Sequence, residues 1–270
     1  MNKLADRVLN DLATAIENDD LVLPTLPEVA LDIREAAQDS DITALRLSKV
    51  IGRDMALAAR LIKVVNSPLL RRSQEVTELQ GAISRLGTQY TCNLAIGLVI
   101  EQIFHARSPA VATWMRQVWA ASQQIAGFSY EICRRHSTLA PDQAALAGLV
   151  HQIGMLPILA YAEDRNELLS DAICLAYVID ILHPMLGDKI LAKWDFPPQL
   201  ANVPSQCLDP ERQGAALDYA DVVRLAGLIA QPANTPLDAL SASPALLRLD
   251  APPSAGVFMS ELRQLPSLFG

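Results

Sequence analysis

Aromatic and basic residues are both scarce in this chain of 270 residues. Aromatic side chains make up 5% of it, and 22 Lys and Arg face 30 Asp and Glu, which gives a net charge of −8. A general nucleic-acid-binding protein needs a basic face, so no nucleic-acid partner is expected. Anionic lipid would repel the chain in the same way. Apolar residues make up 51%, which indicates a well-buried core rather than disorder.

Paired cysteines and the common catalytic loops are also missing. The four cysteines, at positions 92, 133, 174 and 207, show no Cys-x-x-Cys spacing, so neither a zinc site nor a redox pair is indicated. Reduced, buried thiols in a cytoplasmic protein are expected. There is no Gly-rich phosphate loop and no Gly-x-Ser-x-Gly elbow, so nothing points to nucleophilic catalysis. The first residues lack the apolar core of a signal peptide.

One uncharged stretch, residues 143–162, is long enough to cross a membrane. His151, Gln152, Gly154 and Pro157 interrupt its middle. Polar interruptions of this kind disfavour a span. A buried core helix followed by a turn broken at the proline is predicted instead, and no membrane partner is expected.

Signals for strands are nearly absent, and the apolar spacing is helical. Leu4, Val8, Leu12 and Ile16, for example, lie four residues apart on one helix face. The predicted fold class is all-α, with residues 1–19 as an N-terminal helix, 20–230 as one domain and 231–270 as an extension packed on it. The Pro-, Ala- and Ser-rich stretch 231–253 is predicted to be extended, and Ser254 to cap a last short helix. Among the other helices expected are 2–17, 110–135, 141–153, 166–181, 184–194, 197–203 and 212–231.

Several short motifs occur in a specific order. They are Leu23-Pro24-Thr25-Leu26-Pro27, Arg60-Leu61-Ile62-Lys63-Val64-Val65-Asn66-Ser67, Ala82-Ile83-Ser84-Arg85-Leu86-Gly87, Trp119-Ala120-Ala121-Ser122, the run 147–156 around His151-Gln152, His183 with Gly187, and Trp194-Asp195-Phe196-Pro197. Each is weak alone. Together they resemble the HDOD family of bacterial signalling proteins, a branch of the HD superfamily of metal-dependent phosphohydrolases. The resemblance implies an HD-domain-like helical bundle with an N-terminal helical subdomain.

The resemblance also implies a degenerate metal site. The superfamily holds its metal with a His, an adjacent His-Asp pair and a later Asp. The matching positions here are Ala121, His151-Gln152 and Asp221. Two surviving ligands do not hold a catalytic divalent metal, so no cofactor and no catalytic residue are expected. His183 is expected at a helix start near the same vestigial pocket, and Asp221 is the expected hydrogen-bond partner of His151.

The expected function is therefore a non-catalytic regulatory module in bacterial signal transduction. It would bind a signalling protein in trans or a small signal molecule, because the chain has no room for a fused receiver or kinase domain. The alternative is a metal-dependent phosphohydrolase that uses His151, His183 and Asp221. Asn66, Ser67 and the pair Arg71-Arg72 are candidate contacts for a ligand or partner, although a helix stop before Pro68 explains the first two equally well. The sequence does not predict the oligomeric state.

Overall fold

In the computed structural model, every long regular element of the described residues is a helix. The described residues are 3–18, 20–39, 41–71, 74–210, 212, 214–231, 237–250 and 254–269, and no strand occurs among them. The prediction of an all-α fold is confirmed. The α-helices are α1 Lys3–Glu17, α2 Glu28–Gln38, α3 Ala44–Ile51, α4 Met55–Val65, α5 Leu79–Leu86, α6 Thr88–Ile100, α7 Pro109–His136, α8 Pro141–Val150, α9 Met155–Glu163, α10 Asn166–Ser170, α11 Ala172–Lys193, α12 Pro198–Ala201, α13 Val203–Gln206, α14 Tyr219–Ala230, α15 Leu237–Ser241, α16 Pro244–Leu247 and α17 Ala255–Arg263.

The first helices begin and end where capping residues predict. The Thr43 side chain accepts a hydrogen bond from the backbone N–H of Arg46 at the start of α3. Asp54 does the same for Leu57 at the start of α4. Both satisfy backbone donors that a helix N-terminus leaves without partners. Gly87 ends α5 with a φ of 89°, in the left-handed region that favours glycine.

The centre of the molecule is formed by α7, α8 and α6, which lie against one another. Helix α8 is buried over seven consecutive residues, from Ala144 to Val150, so it has no solvent face. Gly148 allows its close approach to α7, because a Cβ there would lie 2.6 Å from the Cα of Ala126. The polar turn 151–154 follows α8 directly and is thereby held at the middle of the bundle.

Four predictions about helix boundaries are wrong. The helix expected over 212–231 begins only at Tyr219. Helix α11 runs unbroken through Pro184, although a proline removes one backbone hydrogen bond. Buried residues on both sides of it, among them Leu182 and Leu186, pack α11 into the core and keep the helix continuous. A break was expected at Pro157, after the polar turn. A second helix, α9, runs through that position instead. The stretch predicted to be extended contains α15 and α16, and residues 232–236 and 251–253 lie outside the described part.

The apolar segment that is long enough to cross a membrane lies in the core. By length and composition the stretch Pro141–Glu163 could span a bilayer, but 78% of its most apolar part is buried inside the fold. It includes α8, the polar turn and α9. This placement agrees with the prediction of a core element.

The described part of the C-terminal segment lies against α7 and α14. Phe258 of α17 is fully buried and meets the ring of His136 edge-on, with centroids 5.3 Å apart. The backbone N–H of Asp250 donates to the carbonyl of His136 at 3.1 Å. These contacts hold the segment against the end of α7, and Arg263 of α17 donates to the carbonyl of Ile229 at the end of α14, at 3.1 Å.

Candidate functional site

Helices α7, α11 and α14 and the turn after α8 surround a cavity of about 360 Å³. Ala121 of α7, His151 and Gln152 of the turn, and His183 of α11 all line it. This space is called the His151 cavity below. The fold therefore brings together four of the five side chains assigned to the vestigial pocket. Asp221 does not line it.

His151 is a buried, neutral imidazole. Its side chain is 6% exposed, and its Nδ1 lies 2.7 Å from the carbonyl oxygen of Gly148. Burial lowers the pKa of His151 to about 4, with a smaller contribution from nearby His183. At neutral pH the proton is therefore on Nδ1, which donates to Gly148, and Nε2 carries a lone pair. The expected partner was Asp221, so that expectation is wrong.

His183 lies near His151, in the middle of α11 rather than at a helix start. Because the predicted break at Pro184 is absent, His183 is inside a continuous helix. The side chain is 5% exposed, and its Nδ1 has no hydrogen-bond partner among the described residues. Burial also lowers the pKa of His183. Gln152 completes this polar wall, and its Oε1 is likewise buried without a described partner.

Asp221 is committed to the structure of α14 and its surroundings. It is 2% exposed, it accepts two hydrogen bonds from Arg248, and it forms a capping box with Asp218 at the start of α14. Helix α14 faces the cavity with Val223, Gly227 and neighbouring residues. At about 100° per residue, Asp221 points roughly a quarter turn away from that face. Its assignment to the pocket is therefore wrong.

Arg224 occupies the cavity face of α14 and was missed at the sequence level. It lines the His151 cavity. Its Nη1 donates to the carbonyl of Cys207 at 3.3 Å, and its Nε is buried without a described hydrogen-bond partner. The guanidinium forms no ion pair with a described carboxylate. The register of α14 could have revealed it, because residues 223, 224 and 227 share one face.

These residues do not fit a divalent metal. Within the described residues, no group of three His, Cys, Asp or Glu side chains is arranged to hold one. A methyl group at Ala121 and an amide at Gln152 stand at two of the ligand positions that the resemblance implies. Arg224 adds a positive charge to the same cavity, and a cation opposes the binding of another cation.

Cys207 also lines the cavity but is not arranged as a nucleophile. Burial raises the pKa of its thiol to about 12, whereas a reactive cysteine has a lowered pKa. All four cysteines are free and buried, as predicted.

Trp119 and Trp194 are core residues, with 5% and 4% of their surface exposed.

The second group of candidate residues lies elsewhere. The Asn66 side chain donates to the carbonyl of Val76 at 2.6 Å and accepts from its N–H at 2.9 Å. Both polar ends of the amide therefore hold the loop after α4, which favours a structural role over ligand contact. Ser67 is 5% exposed, whereas Arg71 is exposed. Neither lines the His151 cavity, and Arg72 lies outside the described residues.

The outer face of α11 carries a row of exposed apolar side chains. Ile173 is 85% exposed, and Tyr177, Ile181 and Met185 follow at four-residue intervals with 44–45% exposure. They lie on one side of the helix because i and i+4 positions share a face. Asp180 is also exposed on this face. Contiguous apolar exposure of this kind is a common feature of protein contact surfaces.

A family model for the HDOD domain matches residues 23–207. Among curated proteins, one from Treponema pallidum (strain Nichols) is 22% identical over 194 residues, which is 67% of this chain and 36% of that protein. The chain thus spans about a third of the length of this relative.

Solved structures share the fold over nearly the whole chain. One from Shewanella amazonensis SB2B, described provisionally as a metal-dependent phosphohydrolase, is 27% identical with a TM-score of 0.82, covering 96% of this chain and 99% of that one. An HDOD domain protein from Geobacter sulfurreducens is 17% identical with a TM-score of 0.71, covering 95% and 93%. One from Marinobacter aquaeolei VT8, described provisionally as a signal transduction protein, is 19% identical with a TM-score of 0.66, covering 96% and 63%.

Proposed function

The chain belongs to the HDOD domain family, and from this premise we propose that it is a regulatory module that binds a signalling protein or a small signal molecule and does not catalyse a reaction. Its place of action in this proposal is the cytoplasm of a bacterium, in signal transduction. The observation that carries the proposal is Arg224 on the wall of the His151 cavity. A positive side chain lines the cavity in which a metal-dependent hydrolase would hold its metal cation, and like charges repel.

The state of the remaining polar groups supports the same proposal. The phosphohydrolase alternative requires Asp221 as a metal ligand beside His151 and His183. Both oxygens of that carboxylate accept hydrogen bonds from Arg248, and removing them from this pair would leave a buried guanidinium with fewer partners. A hydrolase built on these residues would need to rearrange the start of α14.

Protein binding is supported by the exposed apolar row on α11. Ile173 and Tyr177 place large apolar side chains in solvent, where each costs free energy unless a partner covers it. A protein partner that covers these side chains would remove this cost, whereas a hydrolase pocket would leave them exposed.

The catalytic half of the proposal is tested by hydrolysis assays on the full chain. p-Nitrophenyl phosphate and bis(p-nitrophenyl) phosphate would be incubated with the protein and manganese, magnesium or ferrous iron. We expect no release of p-nitrophenol above that of a His151→Ala variant. Hydrolysis that saturates with metal and disappears in His151→Ala would overturn the proposal.

The binding half is tested by affinity capture and by native extraction. The full chain would be used as bait in a lysate of its source, beside an Ile173→Ser/Tyr177→Ser variant with the same cavity. Mass spectrometry of the denatured bait would detect small molecules that co-purify. A protein lost with the variant, or a stoichiometric small molecule, is the expected result. If the parent retains neither, the binding role is wrong.

A further inference from the structure

We propose that the His151 cavity binds a small organic anion, a phosphate ester or a carboxylate, with Arg224 as the residue that binds the charged group. This inference rests on the proposed function, because it names the class of signal molecule that the module would bind. It concerns a site that is built from α7, α11, α14 and the turn after α8, and it uses no metal.

The cation is the first element of the site. Arg224 is half-buried, its Nε has no described hydrogen-bond partner, and Cys207 supplies a single carbonyl to its Nη1 at 3.3 Å. Arg248 on the other side of α14 has the opposite environment, since it binds both oxygens of Asp221. A guanidinium removed from water without an anion is costly, and an anion in the cavity would offset that cost.

Neutral polar side chains that line the same cavity form the second element. His183 is 5% exposed, and its Nδ1 has no described partner. Gln152 also lines the cavity, and its Oε1 is equally buried and without a described partner. Buried polar atoms in folded proteins nearly always have partners. Two such side chains on a single cavity support a bound molecule as the source of the missing hydrogen bonds.

Charge and hydrogen-bond type together define the ligand. His151 presents the lone pair of Nε2, because its Nδ1 donates to Gly148 at 2.7 Å. The Gln152 Oε1 is also an acceptor. A ligand that satisfies both needs a hydrogen-bond donor, such as a hydroxyl group, besides the anionic group that Arg224 binds. Chloride and sulfate lack such a donor at neutral pH.

The size of the cavity requires more than an anionic group. Its volume of about 360 Å³ falls within the range of small-molecule sites. Ile125, Leu208, Val223 and Leu228 provide apolar contacts along its lining. A compact carbon skeleton that carries both the anion and the hydroxyl group fits this combination.

Gly227 allows a matched pair of variants. It lines the cavity one turn from Arg224, and a Cβ built there meets no atom within 4 Å. Gly227→Asp therefore adds a Cβ without a clash and a carboxylate one helical turn from Arg224, and Gly227→Asn adds a neutral side chain of the same shape. The two differ only in charge, so a difference between them reports electrostatics rather than loss of space.

The experiment measures thermal melting of the full chain, freed of metal with EDTA and then dialysed into chelator-free buffer, at constant ionic strength with chloride as the reference anion. Glycerol phosphate and phosphate form one arm, and citrate and malate form the other. At least one arm is expected to raise the melting temperature of the parent, and to raise that of Gly227→Asn more than that of Gly227→Asp. Arg224→Gln and Gly227→Asp should weaken the apparent affinity about tenfold or more, as expected for a lost charge-assisted hydrogen bond. Arg53→Gln, a variant of a remote surface arginine paired with Asp32, should bind as the parent does.

The arm that responds identifies the anion. If neither arm exceeds chloride, or if the rise persists in both Arg224→Gln and Gly227→Asp, the inference is wrong. The Gly227 pair keeps the test decisive even where Arg224→Gln melts too early to measure. Because EDTA removes metal, this result is separate from the hydrolysis assay. Metal-dependent turnover would overturn the proposed function without affecting anion binding. A failure of anion binding would overturn this inference without affecting the absence of hydrolysis.

Discussion

Arg248 binds both carboxylate oxygens of Asp221, with Nε 2.9 Å from Oδ2 and Nη2 2.6 Å from Oδ1. Asp221 is 2% exposed and the Arg248 side chain 13%. The same carboxylate caps the start of α14, and Arg212 contributes a third contact at 3.3 Å. The pair thus joins the described C-terminal segment to α14, and it explains why Asp221 has no role in the cavity.

Arg248→Met is expected to lower the free energy of unfolding by about 2–3 kcal/mol, because it leaves a buried carboxylate with one remaining cation. The matched control is Arg7→Met, which removes an exposed pair with Glu167 and should cost about 0.5 kcal/mol or less. Urea melts of both variants measure the difference. Equal stability of the two would mean that the Asp221 pair is solvated.

Capping residues and apolar periodicity predict most of the fold. Ser254 precedes the helix that it was expected to start, and Thr43 and Asp54 cap α3 and α4 through local hydrogen bonds. The same reasoning fails at Pro184. Local chemistry predicts a break there, but the burial of its neighbours in the core outweighs one missing hydrogen bond.

For the candidate site, too, the sequence predicts some positions and not others. Family motifs place Ala121, His151, Gln152 and His183 around one cavity. They misplace Asp221, because a motif gives the order of residues and the register of α14 gives their direction. Arg224 belongs to none of the family motifs. The helical register groups it with residues 223 and 227 on one face of α14, but only the packed position of α14 brings that face to the His151 cavity.

Two glycines are expected to respond oppositely to alanine. A Cβ at Gly148 would lie 2.6 Å from the Cα of Ala126, whereas a Cβ at Gly227 meets no atom within 4 Å. Gly148→Ala should therefore destabilise the protein by at least about 2 kcal/mol through overpacking between α7 and α8. Gly227→Ala should stabilise it by about 0.5–1 kcal/mol, since alanine favours a helix interior over glycine. Thermal melts of the two variants check this, and a stabilising Gly148→Ala would contradict the close approach of these helices.

His151 is expected to make the protein sensitive to mild acid. Its folded-state pKa is lowered from 6.5 to about 4, so between these values the unfolded chain binds a proton that the native state does not. Stability from this group is complete above pH 6.5 and is lost as the pH falls toward 4. The loss between pH 7.5 and 5.0 should be about 2 kcal/mol.

His151→Asn serves as the comparison, because its amide can still donate to the Gly148 carbonyl. Urea melts of the variant should show a flatter pH dependence over that range, even if the variant is less stable overall. The lowered pKa of His183 acts in the same direction and remains in both proteins. Parallel pH profiles for parent and variant would show that the pKa of His151 is the same in the folded and unfolded states.

Restoring the ligands that the family pattern implies should not be enough to bind a metal. Ala121→His with Gln152→Asp provides three ligands with His151, but Arg224 keeps a positive charge on the same cavity. Manganese is therefore expected to leave the melting temperature of this double variant unchanged.

Adding Arg224→Asp replaces the cation by a fourth ligand from the correct face of α14. At a free metal concentration near 100 times the dissociation constant, the triple variant should gain about 2.7 kcal/mol, or roughly 5–10 °C for a chain of this size. Arg224→Asp alone is the control for charge. If manganese stabilises the double variant as much as the triple, Arg224 does not oppose a cation in the cavity, and the electrostatic basis of the proposed function is lost.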